Sequence, residues 1–517
     1  MTELAAKRAL LSVSDKQGLV ELGRGLVDLG WELIASGGTG RVLRQAGIAV
    51  RDVADLTSFP EALGGRVKTL HPVIHAGILA KATEADMREL TQRGMAPIDL
   101  VVVNLYPFES TVAREDVTIE EAVEEIDIGG VALLRAAAKN FKRVGVITYP
   151  ADYPPVLAEL QGTGSLSQKT RRTLALKAFE HTASYDVAIS RYLASQGFAP
   201  TEGPFPEQVI VGARRLQILR YGENPHQEAA LYALGGTEGA LGGRVLQGKP
   251  LSYNNILDLD SAWRIIASFD EPTVAILKHT NPCGLASGPS LVEALPAALA
   301  GDPVSAFGSV ISVNRVFGED VATALGGLFV EAIVAPGFTL EAVSYLAQHK
   351  KNCRLVDMSE ATGVPLPWEV RSVHCGLLLQ EQDECRDDPT AWKVASRREP
   401  TEDERAALEF GWKVVSHVKS NAILLCGPNA VYGVGAGQMS RVDAVRLAMA
   451  KAGEKTQGSV MASDAFFPFP DSIEEAAVAG VAAVIQPGGS VRDAEVIAAA
   501  DRLNLTMLFT GRRHFRH

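Results

Sequence analysis

The sequence predicts a multidomain α/β protein. Short apolar runs of strand length alternate with stretches whose apolar residues recur every three or four positions. The chain is 47% apolar and 21% charged over 517 residues, enough for about two to four domain cores. Its 48 Gly and 26 Pro are dispersed, with no collagen-like period and no long low-complexity tract.

The alternation is clearest in the first 150 residues. Ala9-Leu10-Leu11-Ser12-Val13 reads as a short buried strand, and Ser14 or Asp15 is placed to cap the helix that follows. Leu19, Leu22, Leu26 and Leu29 put one apolar stripe on that helix, and Gly30 ends it. Trp31 to Ala35 is the next strand, followed by Ser36-Gly37-Gly38-Thr39-Gly40 and a helix through Val42 and Leu43 to Gly47. Ile48 to Val53 is a third strand. Ile98 to Leu105 is apolar almost throughout, as expected for a strand at the centre of a parallel sheet. Repeated βα units predict a doubly wound domain.

Residues 151–195 read as mostly helical, with Gln161 to Thr170 as an exposed loop. Gly197, Pro200, Gly203, Pro204 and Pro206 crowd a short stretch, so the main boundary is expected near residue 200, giving domains 1–199 (core 1–150) and 200–517. The second domain is again α/β. Leu277-Lys278-His279-Thr280-Asn281-Pro282 and His417-Val418-Lys419-Ser420-Asn421-Ala422 are loosely similar, and each precedes a glycine-bearing strand region, around Gly308 and Gly433 to Gly437. This hints at two related halves.

The formal net charge of -11 argues against a general nucleic-acid binder. Anionic ligands must then be caught by local basic pockets. The five cysteines, Cys283, Cys353, Cys375, Cys385 and Cys426, form no C-x-x-C pair, which fits a reducing compartment and gives no zinc framework. Met1-Thr2-Glu3-Leu4-Ala5 is no secretory signal, and no apolar stretch has transmembrane length, so a cytoplasmic protein without membrane contact is expected.

In the first domain, Ser36-Gly37-Gly38-Thr39 lies between a strand and a helix start, where free amides hold phosphate. The Walker spacing is absent, and an ordinary tight βα turn is an equal reading. Ser14-Asp15-Lys16, Gly64-Gly65-Arg66-Val67-Lys68-Thr69, and Asn104 with Tyr106 follow other strands. In a parallel sheet such ends share one edge, so Lys16, the Gly37 to Thr39 amides, Arg66, Lys68 and Thr69 are expected to converge on one phosphate. The plain alternative for Arg66 and Lys68 is a solvated pair. Asp127-Ile128-Gly129-Gly130 opens a helix in which Asp127 caps or meets a ligand. Lys139 falls near its far end, where lysines ordinarily solvate and favour the dipole.

In the second domain, the apolar run Thr273-Val274-Ala275-Ile276-Leu277 stops at Lys278-His279-Thr280-Asn281-Pro282. This delivers an ammonium and an imidazole to the mouth of a sheet, and the neighbouring cation favours the neutral imidazole, a base. Arg220-Tyr221-Gly222-Glu223-Asn224-Pro225-His226-Gln227 joins an anion-binding fork to a stacking ring. Gly435 to Arg441 places small residues before an arginine. Phe466, Phe467 and Phe469, between Asp464 and Asp471, are either core or the wall of a flat aromatic ligand. Gln486-Pro487-Gly488-Gly489-Ser490 is a further possible anion cradle, and the tail from Thr510 to His517 is basic.

Together these segments are recognisable. SVSDK, ASGGTG, GGRVKTLHP, NLYPF, DIGG, LRAAAKN, RYGENPHQ, LKHTNPCG, GAGQMSR, SDAFFPFPDS and RHFRH occur in the order of one family and span the chain. The sequence resembles the bifunctional enzymes of purine biosynthesis that join phosphoribosylaminoimidazolecarboxamide (AICAR) formyltransferase to IMP cyclohydrolase. The resemblance implies a methylglyoxal-synthase-like first domain and a second domain of two cytidine-deaminase-like subdomains. It implies formyl transfer from 10-formyltetrahydrofolate, ring closure of the product to IMP, no catalytic metal, and a homodimer with the transformylase site near the interface. It implies His279 as transformylase base, Lys278 as oxyanion stabiliser and Lys139 as cyclohydrolase acid/base. Arg220, Tyr221, Gly308, Glu331, Asn421, Arg441 and Arg513 would hold AICAR, and Phe466, Asp471, Ser490 and Val491 the folate. Ser14, Asp15, Lys16, Ser36, Gly37, Gly38, Thr39, Arg66, Val67, Lys68, Thr69, Val103, Asn104, Asp127 and Ile128 would form the IMP site. Glu331 stands where some members carry Asp.

Two other readings compete. Pro282-Cys283 echoes the P-C-x-x-C of zinc deaminases, but residue 286 is Ala and no H-x-E precedes it. Alternatively, the first domain is a regulatory module that binds a nucleotide without reacting it.

Overall fold

The computed structural model describes residues 6–35, 37–60, 62–63, 66–114, 116–198, 205–234, 237–361, 366, 368–384 and 387–517. Tertiary contacts divide the chain into two compact units, Met1–Ala213 and Arg214–His517. The division falls after the expected Pro/Gly-rich linker, of which 199–204 lies outside the described residues.

The first unit is built on β1 (Arg8–Val13), α1 (Leu19–Asp28), β2 (Glu32–Ala35), α2 (Gly37–Gln45), β3 (Arg51–Asp52), α3 (Val53–Thr57), α4 (Pro72–Leu79) and α5 (Glu84–Gln92). It continues with β4 (Leu100–Asn104), α6 (Phe108–Val112), α7 (Ile119–Glu124), α8 (Gly129–Lys139), β5 (Gly145–Ile147), α9 (Tyr153–Thr163) and α10 (Gln168–Leu193). The five strands pair in parallel in the order β3-β2-β1-β4-β5. The chain runs outward from β1 on one side and returns through β4 on the other. The C-terminal ends of β1 and β4 therefore flank the switch point at which such sheets bind ligands. Both strands are largely buried on both faces, which accounts for their mostly apolar composition.

Three local expectations are corrected. Neither Ser14 nor Asp15 caps α1: the turn runs on to Gly18, a left-handed N-cap without a side-chain bond, and Asp15 accepts the Gln17 N–H instead. The Ile48 to Val53 strand shrinks to Arg51–Asp52, because Asp52 turns the chain by capping α3 at Ala54. The stretch from Gln161 to Thr170 is largely helical. Gly164 closes α9 in the left-handed region and Ser167 caps α10 at once, so two helix ends supply the Gly- and Ser-rich composition.

The second unit opens with a hairpin of β6 (Ala213–Leu219) and β7 (Ala229–Leu234). Then follow β8 (Arg244–Gln247), α11 (Tyr253–Ile266), β9 (Thr273–Lys278), β10 (Asn281–Ser287), α12 (Leu291–Leu299), β11 (Ser309–Val313), α13 (Glu319–Ala324), β12 (Val330–Ala335), α14 (Leu340–His349) and β13 (Arg354–Asp357). A second hairpin, β14 (Trp368–Val373) and β15 (Gly376–Glu381), leads to β16 (Lys393–Val394), α15 (Glu402–Val415), β17 (Ile423–Cys426), β18 (Val431–Gly435) and α16 (Arg441–Ala452). The unit ends with β19 (Val460–Ser463), α17 (Asp471–Val478), β20 (Ala483–Gln486), α18 (Asp493–Arg502) and β21 (Thr506–Phe509).

Two sheets result, ordered β10-β9-β11-β12-β13-β8 and β18-β17-β19-β20-β21-β16. Strand for strand, the sense of pairing is the same in both. The two halves are thus one topology used twice, as the sequence hinted. The two motifs that raised the hint are nevertheless not equivalent. Lys278-His279 leaves the C-terminal end of β9, whereas His417 to Ala422 leads into β17. Apolar residues of α11 and α15, among them Leu259, Ile265, Leu408 and Trp412, share one buried cluster with residues of both sheets. Each fully buried Leu or Ile is worth about 1.5–3 kcal/mol. The cluster fixes α11 and α15 against the strands whose ends carry the polar residues below.

Candidate active sites

In the first unit, the polar residues gather at the switch point. The Asn104 side-chain oxygen accepts the Ser14 N–H and the Asp15 N–H (2.9 Å), while its amide donates to Asp15 O at 3.2 Å. One side chain thus ties the β1 and β4 ends together. Lys16 turns back to donate to Val13 O, and burial lowers its pKa. Gly37 opens α2 at φ 51°, and a Cβ there would stand 2.6 Å from Lys68 Nζ. A Cβ on Gly38 would lie 3.9 Å from Lys16 Nζ, and one on Gly129 3.0 Å from Thr69 Oγ1. Gly37 with Lys68, Gly38 with Lys16, and the start of α8 with Thr69 are thus close neighbours at this edge, with two ammonium groups beside helix N-termini. Asp127 caps α8 at Gly130 (2.7 Å), and Tyr185 OH accepts its backbone N–H at 2.9 Å. Burial raises the Asp127 pKa, opposed by the Gly130 and Tyr106 amides. Ile128 is exposed at the helix mouth, and Val103 is buried in β4.

Four expectations fare differently. Ser36 lies outside the described residues. The Thr39 hydroxyl is turned to the backbone of Val13, at 3.1 Å. The exposed guanidinium of Arg66 pairs with Glu124, and Val67 bridges to Ala62. Lys139 is not brought to the cradle. α8 starts at the ligand edge and runs back across the sheet for about 15 Å at 1.5 Å per residue. Asn140 then bonds Ile78 O and Ala80 O, and Arg143 bonds Ile98 O, all at the opposite edge. The exposed Lys139 occupies that remote last turn.

In the second unit, β9 is antiparallel to β11, so Lys278 lies at the N-terminal edge of β11, β12 and β13. The sheet edge expected from the sequence is thus the C-terminal end of β9 but the N-terminal end of its neighbours. Lys278 Nζ donates to Phe307 O at 2.9 Å, next to Gly308 at φ 74°. Further along the edge, Glu331 pairs with the buried Arg354, which also bonds the carbonyls of Lys249 and Pro250. Glu331 is thereby held from below. His279 and Thr280 are both left-handed, at φ 53° and 62°. Asp258 on α11 accepts the Thr280 N–H at 2.7 Å, and the Asn281 amide donates to His279 O at 3.0 Å. The imidazole itself is exposed. The Arg220-Tyr221 loop closes on Gly222 and Gln227 (2.7 Å), stacks Arg220 over Tyr221 at 5.4 Å, and meets the start of α11 through Asn254 and Glu223 O at 3.3 Å.

The second half contributes the C-terminal edge of β19, β20 and β21. Arg441 is buried there, bonding Ser463 Oγ (2.7 Å), Asp464 Oδ1 (2.6 Å) and Asn421 Oδ1 (2.9 Å). The Asn421 amide donates to Gln438 O at 2.9 Å. The three phenylalanines divide. Phe467 is core, its N–H held by Gln486 Oε1 at 3.0 Å, while Phe466 and Phe469 are exposed. Arg492 lies over Phe469 at 4.7 Å. Asp471 begins α17, the Ser490 hydroxyl accepts Arg492 N–H at 3.2 Å, and Val491 is fully exposed. In the tail, Arg513 stacks on Phe515 at 4.7 Å. His514 is buried between Asp383 (2.8 Å) and Asp387 (2.9 Å), and Trp412 Nε1 donates to Asp387 at 2.7 Å.

Asp258, Asn281, Arg354, Asp464 and Tyr185 were given no role from the sequence. Each has a partner far away in the chain, which nothing in the local sequence signals. Among the described residues no group of three His, Cys, Asp or Glu is arranged to hold a metal ion. The Cys283 thiol instead donates to Ile276 O at 3.3 Å, and burial pushes its pKa up to about 12. No described helix is long and apolar enough to cross a membrane.

A lysine-bearing cradle at an α/β switch point and an imidazole-bearing turn on a separate unit are features of an enzyme of small molecules. An MGS-like domain matches residues 18–132, and the AICARFT/IMPCHase bienzyme family matches residues 137–451. The bifunctional purine biosynthesis protein PurH of Desulfitobacterium hafniense is 54% identical over 99% of this chain and 100% of its own. Those of Bacillus mycoides and a Cyanothece species are 49% and 51% identical, over 99% and 98% of this chain and 100% and 99% of theirs. A solved structure described as the crystal structure of ForH is 41% identical over 36% of this chain and 98% of its own, with a TM-score of 0.33. The chain belongs to the AICARFT/IMPCHase bienzyme family. It is a formyltransferase and a cyclohydrolase of purine biosynthesis, with a folate as cosubstrate.

Proposed function

We propose that the second unit transfers the formyl group of 10-formyltetrahydrofolate to the 5-amine of AICAR, at the turn carrying Lys278 and His279. The observation that carries this is an exposed imidazole on a backbone held by Asp258 and Asn281, beside an ammonium aimed along the same sheet edge. The amine is a weak nucleophile because its lone pair is delocalised into the imidazole ring and carboxamide. His279 draws a proton from the amine by way of the carboxamide as nitrogen attacks the formyl carbon. Lys278 stabilises the oxyanion, a contribution of about 3–4 kcal/mol for one such donor. The bond to folate nitrogen then breaks, and that nitrogen takes up the proton. Arg220, Tyr221, Gly308, Glu331, Asn421, Arg441 and Arg513 hold AICAR in this reading, the exposed Arg220 and Arg513 supplying the free guanidinium forks. Phe466 walls the pterin, with Asp471, Ser490 and Val491 around it.

The first unit closes the product: the carboxamide nitrogen attacks the formyl carbon and water leaves. Lys16, the Gly37 and Gly38 backbone, Lys68 and Thr69 bind the phosphate, with Ser14, Asp15, Asn104, Asp127 and Ile128 around the sugar and base. Lys139 enters as acid/base on the strength of its RAAAKN motif alone. The working form in this reading is a cytoplasmic homodimer. Pure protein supplied with AICAR and 10-formyltetrahydrofolate is expected to yield tetrahydrofolate and IMP in equal amounts. Tetrahydrofolate without IMP would leave the first unit as a binding module, and neither product would end the proposal.

A further inference from the structure

Two consecutive residues of the catalytic turn occupy a region of backbone space that side-chain-bearing residues avoid. His279 and Thr280 have φ of 53° and 62°, and Thr280 is β-branched, the residue class least suited to it. Such a conformation persists only where its surroundings impose it. The amides of this turn are directed at α11. There the carboxylate of Asp258 accepts the Thr280 N–H at 2.7 Å and lies against the His279 N–H as well. Asp258 is half-buried and sits between Asn255 and Leu259, which are buried against the core. The helix is fixed at its start by a capping box between Ser252 and Asn255. Its position therefore cannot follow the turn; the turn must follow it. From the other side, Thr280 Oγ1 and the Asn281 amide donate to His279 O, at 2.7 and 3.0 Å. The backbone of His279 is thus closed above and below, and only the imidazole is left facing outward.

We infer that Asp258 is a positioning residue for formyl transfer: by capturing the amides of the left-handed His279-Thr280 turn, it sets the direction in which the imidazole meets the substrate amine. The role is carried by backbone capture rather than by contact with either substrate, and it rests on the assignment of His279 as the base. A neutral amide side chain at this position keeps an oxygen where Oδ1 stands; a methyl does not.

The experiment uses the full chain and reads formyl transfer, AICAR affinity and cyclisation of supplied formyl-AICAR together. Asp258→Ala is expected to lower kcat for formyl transfer about 100-fold, the scale on which misplaced catalytic groups act. The dissociation constant for AICAR and the rate of cyclisation stay within about threefold, since Asp258 touches neither site and the cyclisation cradle lies on the other unit. Asp258→Asn is expected to keep kcat within about fivefold of the parent, because one acceptor remains. Thr280→Gly placed in the Asp258→Ala background is expected to recover at least about tenfold, since glycine enters the left-handed region without the carboxylate. An Asp258→Asn variant as slow as Asp258→Ala would overturn the inference in favour of a need for the charge itself. Full activity in Asp258→Ala would overturn it outright, as would loss of AICAR affinity in step with kcat. His279→Ala, run alongside, separates the two claims. Formyl transfer that survives this change removes the base assignment, whereas transfer lost there and intact in Asp258→Ala removes only the role of Asp258.

Discussion

The side chain of Asn281 accepts the backbone N–H of Lys419 at 3.0 Å while donating to His279 O at 3.0 Å. One amide thereby spans the two halves of the second unit and connects the imidazole-bearing turn to the segment that carries Asn421. Lys419 O in turn accepts the Gly437 N–H at 2.8 Å, which extends the link toward Arg441. Asn281→Ala removes two hydrogen bonds worth about 1 kcal/mol each, so formyl transfer is expected to fall by up to about thirtyfold. Cyclisation should be untouched. A rate within twofold of the parent would show that the halves hold their register without this bridge.

His279→Ala is expected to abolish formyl transfer, a loss of about 100-fold or more for a general base. The variant should still close supplied formyl-AICAR, since the cradle lies on a separate compact unit. Parallel loss of the two activities would contradict the separation of the sites.

Lys139→Ala tests an assignment that motif and geometry place differently. The lysine is outside the cradle, so IMP affinity is expected to stay within about twofold, while the motif-implied proton transfer predicts cyclisation slowed by about 100-fold with formyl-AICAR building up. Unchanged cyclisation would move proton handling to Lys16, Lys68 and Asp127, which do face the cradle.

Gly37→Val examines the cradle itself. Gly37 lies at φ 51°, and any side chain would collide with Lys68 Nζ. The substitution strains the turn and displaces the ammonium, so IMP affinity should fall by at least about tenfold while formyl transfer continues. Calorimetric titration with IMP gives the answer, and unaltered binding would place the phosphate elsewhere.

His417 sets a pH dependence. Its Nε2 lies 3.0 Å from Ser268 Oγ, and burial, helped by Arg516, pushes its pKa down to about 3. Asp383 opposes this, while His514 and Arg264 add to it. A depressed pKa means that the unfolded chain takes up a proton first as pH falls below the usual histidine value of about 6.5. Stability present above that value is lost progressively down to about pH 3. His417→Gln keeps a partner for Ser268 without titrating. It should therefore lose less Tm than the parent between pH 7.5 and pH 5, and an equal drop in both would clear His417 of the effect.

What the sequence made legible followed from local chemistry. β1 and β4 are mostly apolar because neighbours cover both faces, and the glycines that open α2 lie on the same ligand edge as the switch point. The loop expected around Gln161 to Thr170 was misread because a left-handed glycine and a serine cap were packed into four residues. The edge occupied by Lys278 could not be foreseen, since nothing in an apolar run states whether its neighbour is parallel. Asp258 and Asn281 escaped notice because their partners stand 22 and 138 positions away. Arg66, placed by spacing beside the cradle, has its guanidinium paired with Glu124, a partner 58 positions away that spacing does not reveal.

The repeated strand order of the second unit has a consequence for how its activity is inherited by fragments. Cut between β13 and β16, each piece would retain a whole sheet and its flanking helices, yet neither would own a working site. The imidazole would travel with one piece, and Asn421 and Arg441 with the other. Formyl transfer recovered on mixing would then report reassembly, signalled by the Ser287 N–H returning to Asn429 O and Ala286 to Ala430, the seam along which the copies join.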